Sequence, residues 1–583
     1  MVFLSRRAPS RGGPGEVVMK RIGKFFVWII GIILALEVVG IIVAALSKRI
    51  SPHTVLTVRI EGEIPEQAPR NPFAELVAGR ETTLTDIVEG LERARTDPRI
   101  TGVEMHVTES GMSMAKLQDL RGRIQELNRA GKFSVAYLEF ATNRSYYLAS
   151  ACQTVLLLPS SDLYVRGMMA SSTFFRGALD KLGVYPDLYH IGDYKNATNV
   201  YTEKKYTQAH REATQSLVED WYHEFLRGVA EGRGMRPEEA EAAIQRGPFT
   251  SQEALAARLV DKLAYADEAR DIVERKNHGG HNRLSLREYL RRTEREGRSK
   301  LAIIYATGMI LPGRSGNDPL GGSVIGSDTI AEQFRRARDD SSIRAVVLRV
   351  DSPGGVSFSS EAIRREVEMT KRSKPVVASM SDVAASGGYW ISMSADKIVA
   401  EPGTLTGSIG VVTGKFNLHG LYEKLGLSKD FVATTENSTL EWPYQNFTPA
   451  QRQSVEKTMR DVYENFLRGV AEGRHMDVKA VDKIGQGRVW TGERARKLGL
   501  VDELGGLHAA IARARELAKI PGSEKVGLVY LPPPKSFFDA VFELLGDARA
   551  ARPAAALSQW LGQVESLARQ PVWALLPDVP EVE

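Results

Sequence analysis

The chain has 583 residues, of which 43% are hydrophobic and 26% are charged, and its formal net charge is only +5. This length exceeds what one hydrophobic core normally supports, so two or more domains are expected. The small net charge, without a basic stripe interleaved with aromatic residues, argues against a nucleic-acid partner. The one cysteine, Cys152, excludes an internal disulfide, and its apolar surroundings predict a buried thiol.

The N-terminal region contains a 22-residue apolar stretch, residues 25–46, interrupted only by Glu37. A helix of that length rises about 33 Å and can cross a bilayer, whereas the apolar region of a cleavable signal peptide has only about 7–15 residues. We therefore predict a transmembrane anchor at 25–46. Basic residues are concentrated before it, which places the tail 1–24 in the cytoplasm and the rest of the chain at the periplasmic or outer face of the cell membrane. Glu37 is either a helix–helix contact or a protonated carboxyl.

The sequence contains a large internal repeat. Three pairs of similar segments keep almost one offset (336 − 93 = 243, 423 − 180 = 243, 466 − 225 = 241): 93–100 with 336–343, 180–183 with 423–426, and 225–235 with 466–476. Such self-similarity indicates two copies of one domain. We predict domains at 47–290 and 300–525, with the charged stretch 270–298 as the connection and a Pro/Ala-rich C-terminal extension at 531–583.

Within each copy, strand and helix patterns alternate. Residues 344–350 form an apolar, β-branched run, a helical pattern continues through Ile363 and Val367, and residues 376–380 read as the next strand. Strands that alternate with helices at this spacing predict parallel βαβ units and an α/β fold.

Two turns in the second copy have the residues that chemistry requires. We call Asp351-Ser-Pro-Gly-Gly355 the glycine turn, whose backbone N–H groups are suited to holding an oxyanion. We call Ala384-Ala-Ser-Gly-Gly-Tyr-Trp390 the serine turn, in which Ser386 lies at a strand-to-helix junction with small neighbours. Each turn alone is weak evidence, but their occurrence on successive strands of one βαβ unit is specific.

The base for this serine is expected to be a lysine. There are only ten histidines, and the second copy shows no Ser/His/Asp arrangement, no His-Glu-x-x-His motif and no Walker loop. His278 and His281 lie in the charged connection and are interpreted as loop residues. The sequence therefore predicts no metal and no other cofactor.

These motifs resemble those of the signal peptide peptidase A (SppA) family of serine peptidases, in its long form with tandem domains. The resemblance is carried by the serine turn, the glycine turn, Thr404-Leu-Thr-Gly-Ser-Ile-Gly410 and Gly192-Asp-Tyr-Lys195, and it covers nearly the whole chain. It implies two crotonase/ClpP-like domains. It also implies that Ser386 is the nucleophile and Lys195 the general base. In the same way it assigns the remaining site residues: the backbone of Gly387 and of Gly354 or Gly355 as the oxyanion hole, and the Ser408 hydroxyl as the group that orients the lysine.

The repeat provides independent support for a divided site. Subtracting 243 from Ser386 gives Asn143, so the first copy has no nucleophile, and adding 243 to Lys195 gives Ser438, so the second copy has no base. The first copy has also lost parts of the glycine turn, with Ser110 and Met112 in place of Pro353 and Gly355, and Val165 in place of Ser408. A complete dyad is therefore expected only where the copies meet, and burial there is expected to lower the lysine pKa.

The predicted function is that of a membrane-anchored serine endopeptidase that cleaves remnant signal peptides and similar apolar peptides. By the same resemblance the chain assembles as a homotetramer. Two alternatives remain open at this point: an acyl-CoA-acting enzyme of the crotonase type, which uses a similar oxyanion hole, and a non-catalytic membrane scaffold. The sequence does not decide whether Lys195 meets Ser386 within one chain or between chains.

Overall fold

The computed structural model describes residues 49–67, 81–293, 297, 299–317, 323–533, 573–575 and 581–582. The predicted tail 1–24, the predicted anchor 25–46 and most of the extension 531–583 lie outside the described residues. Within the described part of the chain, no helix is both long enough and apolar enough to cross a membrane.

The first copy is built on a six-stranded parallel sheet. Its central strand, Ile100–Ser110, buries Val103, Met105 and Val107, which alternate along the strand and therefore face the same core. The strands in spatial order are Lys262–Leu263, Thr154–Leu157, Phe133–Leu138, Ile100–Ser110, Thr54–Gly62 and Arg283–Ser285. The helices of this copy are Leu84–Thr96, Met114–Arg129, Asn143–Ala149, Arg176–Leu182, Asn199–Thr202, Gln208–Arg233, Pro237–Ile244, Ser251–Ala256, Ala266–Lys276 and Leu286–Arg292.

The second copy repeats this sheet. The main path runs Val489–Thr491, Leu405–Gly407, Val376–Ala385, Ile343–Ser352, Ser299–Thr307 and Val526–Leu531, and Lys397–Ala400 and Glu503–Leu504 continue from Val376–Ala385. Equivalent strands begin at the predicted offset (343 − 100 = 243, 376 − 133 = 243, 397 − 154 = 243). The helices are Ser327–Asp339, Ser357–Lys371, Gly387–Ser392, His419–Lys424, Pro449–Arg474, Val478–Ile484, Gly492–Lys497 and Leu507–Leu517. The prediction of a duplicated α/β domain is confirmed.

The best-matched segments of the repeat form a pair of 26-residue helices, Gln208–Arg233 and Pro449–Arg474. Each begins at a threonine, Thr207 or Thr448, whose hydroxyl accepts a backbone N–H of the first turn, as an N-cap does. Each ends at a left-handed residue, and this is Gly234 in the first copy but His475 in the second. The two copies therefore end this helix with the same backbone geometry, although only the first has a glycine there.

A third sheet joins the two copies. The strand Tyr185–Ile191, here called the bridging strand, comes from the first copy but pairs antiparallel with Val411–Asn417 of the second. The whole sheet runs Gly316–Asn317, Ser323–Gly326, Met309–Leu311, Gly354–Val356, Trp573–Leu575, Val411–Asn417 and Tyr185–Ile191. A segment of the C-terminal extension, Trp573–Leu575, thus lies between the glycine turn and Val411–Asn417. The remaining short strands are Ala141–Thr142, Asp162–Tyr164 and Phe249–Thr250, which pair together, and Ala170–Ser171 with Glu581–Val582.

One sequence-based expectation needs correction. The charged stretch 270–298, interpreted as a connection, instead completes the first domain with helix Leu286–Arg292 and the edge strand Arg283–Ser285. Leu286 and Tyr289 are buried in the first core although most of their neighbours are charged. Two apolar residues at i and i+3 lie on the same face of a helix and are enough to pack one helical turn against the core. The surrounding charged residues hid this short pattern in the sequence.

Candidate active site

Ser386 lies where a strand of the second sheet turns into a helix. The strand Val376–Ala385 ends one residue before it, and the helix Gly387–Ser392 begins one residue after it. Ser386 has φ 55° and ψ −113°, a backbone conformation that a non-glycine residue rarely adopts. Its N–H donates to the carbonyl of Gly407 at 2.8 Å, which helps to hold the strained residue in place. Strain of this kind is concentrated at functional sites.

Three buried side chains meet at this turn. The Lys195 Nζ donates to the Ser386 Oγ at 2.8 Å, to the Ser408 Oγ at 2.9 Å and to the Ser408 carbonyl oxygen at 2.9 Å. All three residues are fully buried. Ser408 also has a positive φ, 51°, and its N–H donates to the Arg488 carbonyl at 2.8 Å. The sequence-predicted residues Ser386, Lys195 and Ser408 are therefore brought into direct contact within one chain.

The bridging strand carries Lys195 to this position. It pairs with Val411–Asn417 over seven residues, from Tyr185↔Asn417 to Ile191↔Val411, and Val411 lies only three residues after Ser408. A tight turn follows the strand, in which the N–H of Lys195 donates to the Gly192 carbonyl at 3.1 Å. The antiparallel register therefore fixes where the lysine enters the second domain.

Glycines allow the close backbone approach that this turn requires. Gly192 has φ 107°, and a Cβ on it would lie 2.4 Å from the backbone carbon of Gln486. Gly487, on the facing loop, has φ 74°, and a Cβ there would lie 2.4 Å from the Lys195 Cβ. The Tyr194 N–H donates to the Gln486 carbonyl at 2.8 Å. Sequence reasoning missed Gln486 and Gly487, and the run Gly485-Gln-Gly487 after a helix was the available signal.

Burial dominates the electrostatics of the site. It lowers the pKa of Lys195 well below that of a solvated lysine. No ion pair to Lys195 occurs among the described residues, so its partners are the neutral oxygens of two serines. The amine is therefore biased towards its neutral form, which has a lone pair available to accept a proton.

The glycine turn lies beside the serine turn. A Cβ on Gly387 would lie 2.9 Å from the Gly355 nitrogen and 3.0 Å from the Gly354 Cα, so the backbones of the two turns are in contact. Gly354 and Gly355 have φ values of 107° and 157°. The Gly354 N–H donates to the Ser352 Oγ at 3.2 Å. The structure thus brings together the three glycines for which the resemblance implied an oxyanion hole.

The equivalent region of the first copy has relaxed. Asn143 is the first residue of helix Asn143–Ala149, whereas Ser386 precedes its helix in a strained conformation. The Asn143 side chain accepts a hydrogen bond from the Arg166 N–H at 2.9 Å. Val165 is buried, and Ser438 is exposed and bonds only to nearby threonines. None of these three side chains is positioned for proton transfer.

The sequence is similar to those of known proteins over most of its length. The family "Peptidase family S49" matches residues 126–278 and 368–521. The chain belongs to peptidase family S49. It is 33% identical to a chloroplastic serine protease SPPA from Arabidopsis thaliana over 86% of this chain and 74% of that protein. It is 32% identical to Protease 4 from Salmonella typhi over 82% of this chain and 78% of that protein.

These matches make the chain a serine peptidase of the SppA type, as the motifs had indicated. They favour the peptidase over the acyl-CoA-acting alternative. A ClpP1 structure from Listeria monocytogenes also aligns, at 14% identity over 36% of this chain and 94% of that chain, with a TM-score of 0.24. That similarity is too low to support a functional argument.

The glycine beside the lysine gives a test of this S49 site. We expect Gly487→Ala to lower kcat/KM for an apolar peptide by about 100-fold, because its Cβ would displace Lys195 from Ser386. Gly499→Ala is the matched control: Gly499 has a similar φ, 79°, but the nearest atom to its Cβ would be 3.8 Å away. Both variants should lose about 1 kcal/mol of stability through backbone strain. Equal activity of the two variants would contradict this role for Gly487.

Proposed function

We propose that the chain is a membrane-anchored serine endopeptidase in which Ser386 is the nucleophile and Lys195 the general base. Its substrates are remnant signal peptides and similar apolar peptides. The observation that carries the proposal is the 2.8 Å contact between the Lys195 Nζ and the Ser386 Oγ in a fully buried site. A nucleophile and base within hydrogen-bond distance, with a third group that orients the base, is the arrangement that covalent catalysis requires.

The reaction follows from the contacts of the amine. Neutral Lys195 accepts the Ser386 proton as the Ser386 Oγ attacks a peptide carbonyl carbon. The Ser408 hydroxyl and carbonyl hold the amine in line during this step. The ammonium then returns the proton to the leaving amine, and water hydrolyses the acyl-enzyme by the same base.

The oxyanion is proposed to bind the N–H groups of Gly387 and Gly355. Of the two glycines in the turn, Gly354 already donates to the Ser352 Oγ, whereas the Gly355 nitrogen is the one that faces Gly387. Donors of this kind typically contribute about 3–4 kcal/mol to transition-state stabilisation each.

A peptide is expected to bind as an added β-strand. Support comes from the chain's own backbone, because Trp573–Leu575 pairs antiparallel with Gly354–Val356, which includes the two glycines of the glycine turn. Apolar side chains line this region: Val356 and Val412 are buried, and Met309, Leu311 and Ala197 pack against them. Main-chain pairing combined with an apolar wall suits apolar, extended peptides.

The dyad is tested by separate substitutions of its members. We expect Ser386→Ala and Lys195→Ala each to lower kcat for an internally quenched apolar peptide by about 10⁴-fold or more. Ser386→Ala should also abolish labelling by a fluorophosphonate probe. Asn143→Ala and Ser438→Ala, at the equivalent positions of the repeat, are the controls and should keep full activity. Labelling that persists in Ser386→Ala would refute the assignment, and a wild-type chain inert to the probe and the peptide would favour the non-catalytic scaffold.

The pH dependence of the wild type and a mixture of the two dyad variants test the base and the chain arrangement. For the wild type, kcat/KM should fall as the pH is lowered through the depressed pKa of Lys195, because the ammonium cannot accept the serine proton. We propose that each chain closes its own dyad, so mixing Ser386→Ala with Lys195→Ala chains should restore no activity. Recovered activity would place the dyad between chains.

Residues 25–46 are proposed to anchor the peptidase in the cell membrane with the tail 1–24 in the cytoplasm. The length and apolarity of the segment and the basic residues before it support this topology. We expect a chain lacking residues 1–46 to leave the membrane fraction while keeping its hydrolysis of a soluble peptide. Replacing residues 25–46 with an unrelated apolar helix is the control and should restore membrane association. A truncated chain that stays in the membrane fraction would contradict the anchor.

The peptidase is also proposed to form a homotetramer. The segment equivalent to the bridging strand is 428–434 (185 + 243 = 428), which forms no strand in the described structure and exposes Phe431 and Val432. Such an unpaired copy of an interface strand suits pairing with a neighbouring chain. We expect light scattering of the detergent-solubilised chain to give a tetramer mass and Val432→Glu to reduce it. A monomer mass for the wild type would contradict the proposal.

A further inference from the structure

Lys116, in helix Met114–Arg129 of the first copy, crosses to the second copy. Its Nζ lies 3.0 Å from the Asp351 Oδ2 and 3.3 Å from the Asp382 Oδ2. The backbone N–H of Lys116 also donates to the Asp382 Oδ1 at 3.1 Å. The side chain is only 13% exposed, and its ammonium lies between the two carboxylates. We call Lys116, Asp351 and Asp382 the ion cluster. The described reaction does not use this group.

The two carboxylates lie at the ends of the strands that lead into the site. Asp351 immediately precedes Ser352, whose Oγ accepts the Gly354 N–H and donates to the Gly308 carbonyl at 2.7 Å. Asp382 lies four residues before Ser386 on the neighbouring strand. The Asp351 Oδ1 in turn accepts the Val383 N–H at 3.2 Å. Lys116 therefore contacts both the glycine turn's strand and the serine turn's strand.

These strands have a bulge between the two carboxylates. Their register runs regularly to Val350↔Met380 and then jumps to Ser352↔Ala384, so the serine strand has two extra residues there. A bulge bends its strand and changes the direction of the residues beyond it. Here the residue beyond it is Ser386, and the bulge exposes backbone groups that need partners. Asp351 supplies one partner, and Lys116 holds Asp351 in place.

The first copy offers an internal comparison. Its equivalent strands pair from Gly102↔Phe133 to Val107↔Leu138, and this pairing ends before Glu109 and Ala141, the positions equivalent to Ser352 and Ala384. The positions equivalent to Lys116, Asp351 and Asp382 are Ser359, Thr108 and Glu139, so the ion cluster is absent there. The copy that lacks the nucleophile therefore also lacks the ion cluster.

We propose that Lys116 is a positioning residue, whose ammonium, held between Asp351 and Asp382, fixes the bulge that directs Ser386 towards Lys195 and the glycine turn. The inference rests on the proposed function, because it concerns the geometry of the Ser386 nucleophile. Docking of the first domain thereby contributes to the active site twice, through Lys195 and through Lys116.

Charge supports the geometry. Burial lowers the pKa of Lys116, but Asp351 and Asp382 outweigh it and leave the pKa above that of a solvated lysine. The pKa of Asp382 is raised to about 6: burial is the largest cause, Lys116 lowers it, and the charges of Asp351 and Glu66 also raise it. Arg349 pairs with Glu66 beside this cluster at 2.9 Å. The ammonium of Lys116 thus offsets part of the cost of burying the Asp382 carboxylate next to the bulge.

The test separates positioning from charge balance. We expect Lys116→Met to lower kcat for an internally quenched apolar peptide by about 10- to 100-fold, with KM changed by less than about threefold, because the nucleophile is misdirected rather than the peptide displaced. Lys116→Arg should recover most of kcat, because a guanidinium can bridge two carboxylates. The double variant Lys116→Met/Asp382→Asn removes an unpaired buried charge and should recover the melting temperature without recovering kcat.

Tyr530→Phe is the control. It removes a 2.7 Å hydrogen bond to Glu89 between the copies, at the far edge of the sheet, and should leave kcat unchanged.

Two results would overturn the inference: an unchanged kcat in Lys116→Met, or a double variant in which kcat and the melting temperature return together. If Lys116→Met does not fold, Lys116→Arg and the double variant give the same decision. Ser386→Ala is measured in parallel. An active Ser386→Ala chain would refute the proposed function, whereas an inactive Ser386→Ala chain beside a fully active Lys116→Met chain would refute only the role of Lys116.

Discussion

The antiparallel pairing of Tyr185–Ile191 with Val411–Asn417 is the interaction on which the active site depends. It takes a strand out of the first domain and makes it part of a sheet of the second, so the turn that follows can enter between Ser408 and Gln486. Register in a β-pair is specified residue by residue, since a slip of one position would turn every side chain to the other face. The pairing therefore determines the position of the lysine amine more precisely than loose contact between two domain surfaces would.

Two lysines of the first domain enter the second, and their surroundings give them opposite properties. Lys195 is buried among hydroxyl and carbonyl oxygens, and desolvation lowers its pKa. Lys116 is nearly buried as well, but it lies between Asp351 and Asp382, which keep it charged. The same side chain is thus suited to proton transfer in one environment and to a structural ion cluster in the other, and the neighbouring charges make the difference.

The repeat shows how a site can be divided between two copies of a domain. In the second copy Ser386 and Ser408 both have positive φ, and their strain is compensated by hydrogen bonds to Gly407 and Arg488. In the first copy the equivalent of Ser386 is Asn143, which sits inside a regular helix. Strained backbone is retained only where the surrounding structure holds it, and the first copy shows the unstrained alternative for the same fold.

Much of the site could be predicted from the sequence, because the features involved are local. The strands around Ser352 and Met380, the serine turn and the helix after it follow from short apolar runs and glycines. The family resemblance pointed to Ser386 and Lys195, and comparing the two copies supported both. The short amphipathic helix Leu286–Arg292 was missed because charge obscured its two buried residues. The part played by Gly487 was missed because a glycine's contact with a lysine almost 300 residues earlier has no local signal.

The amino-acid sequence by itself determined the duplicated α/β architecture and singled out the serine turn, since hydrophobic periodicity, turn residues and repeat offsets can be read along the chain, and the family resemblance of its motifs pointed to Lys195. Only the tertiary structure brought the two side chains into contact and showed that Lys195 has no ion-pair partner among the residues that the structure describes. It alone also revealed that Lys116 joins the two strands at a bulge. These features depend on the register and burial between distant segments, which are set by packing of the two domains against each other.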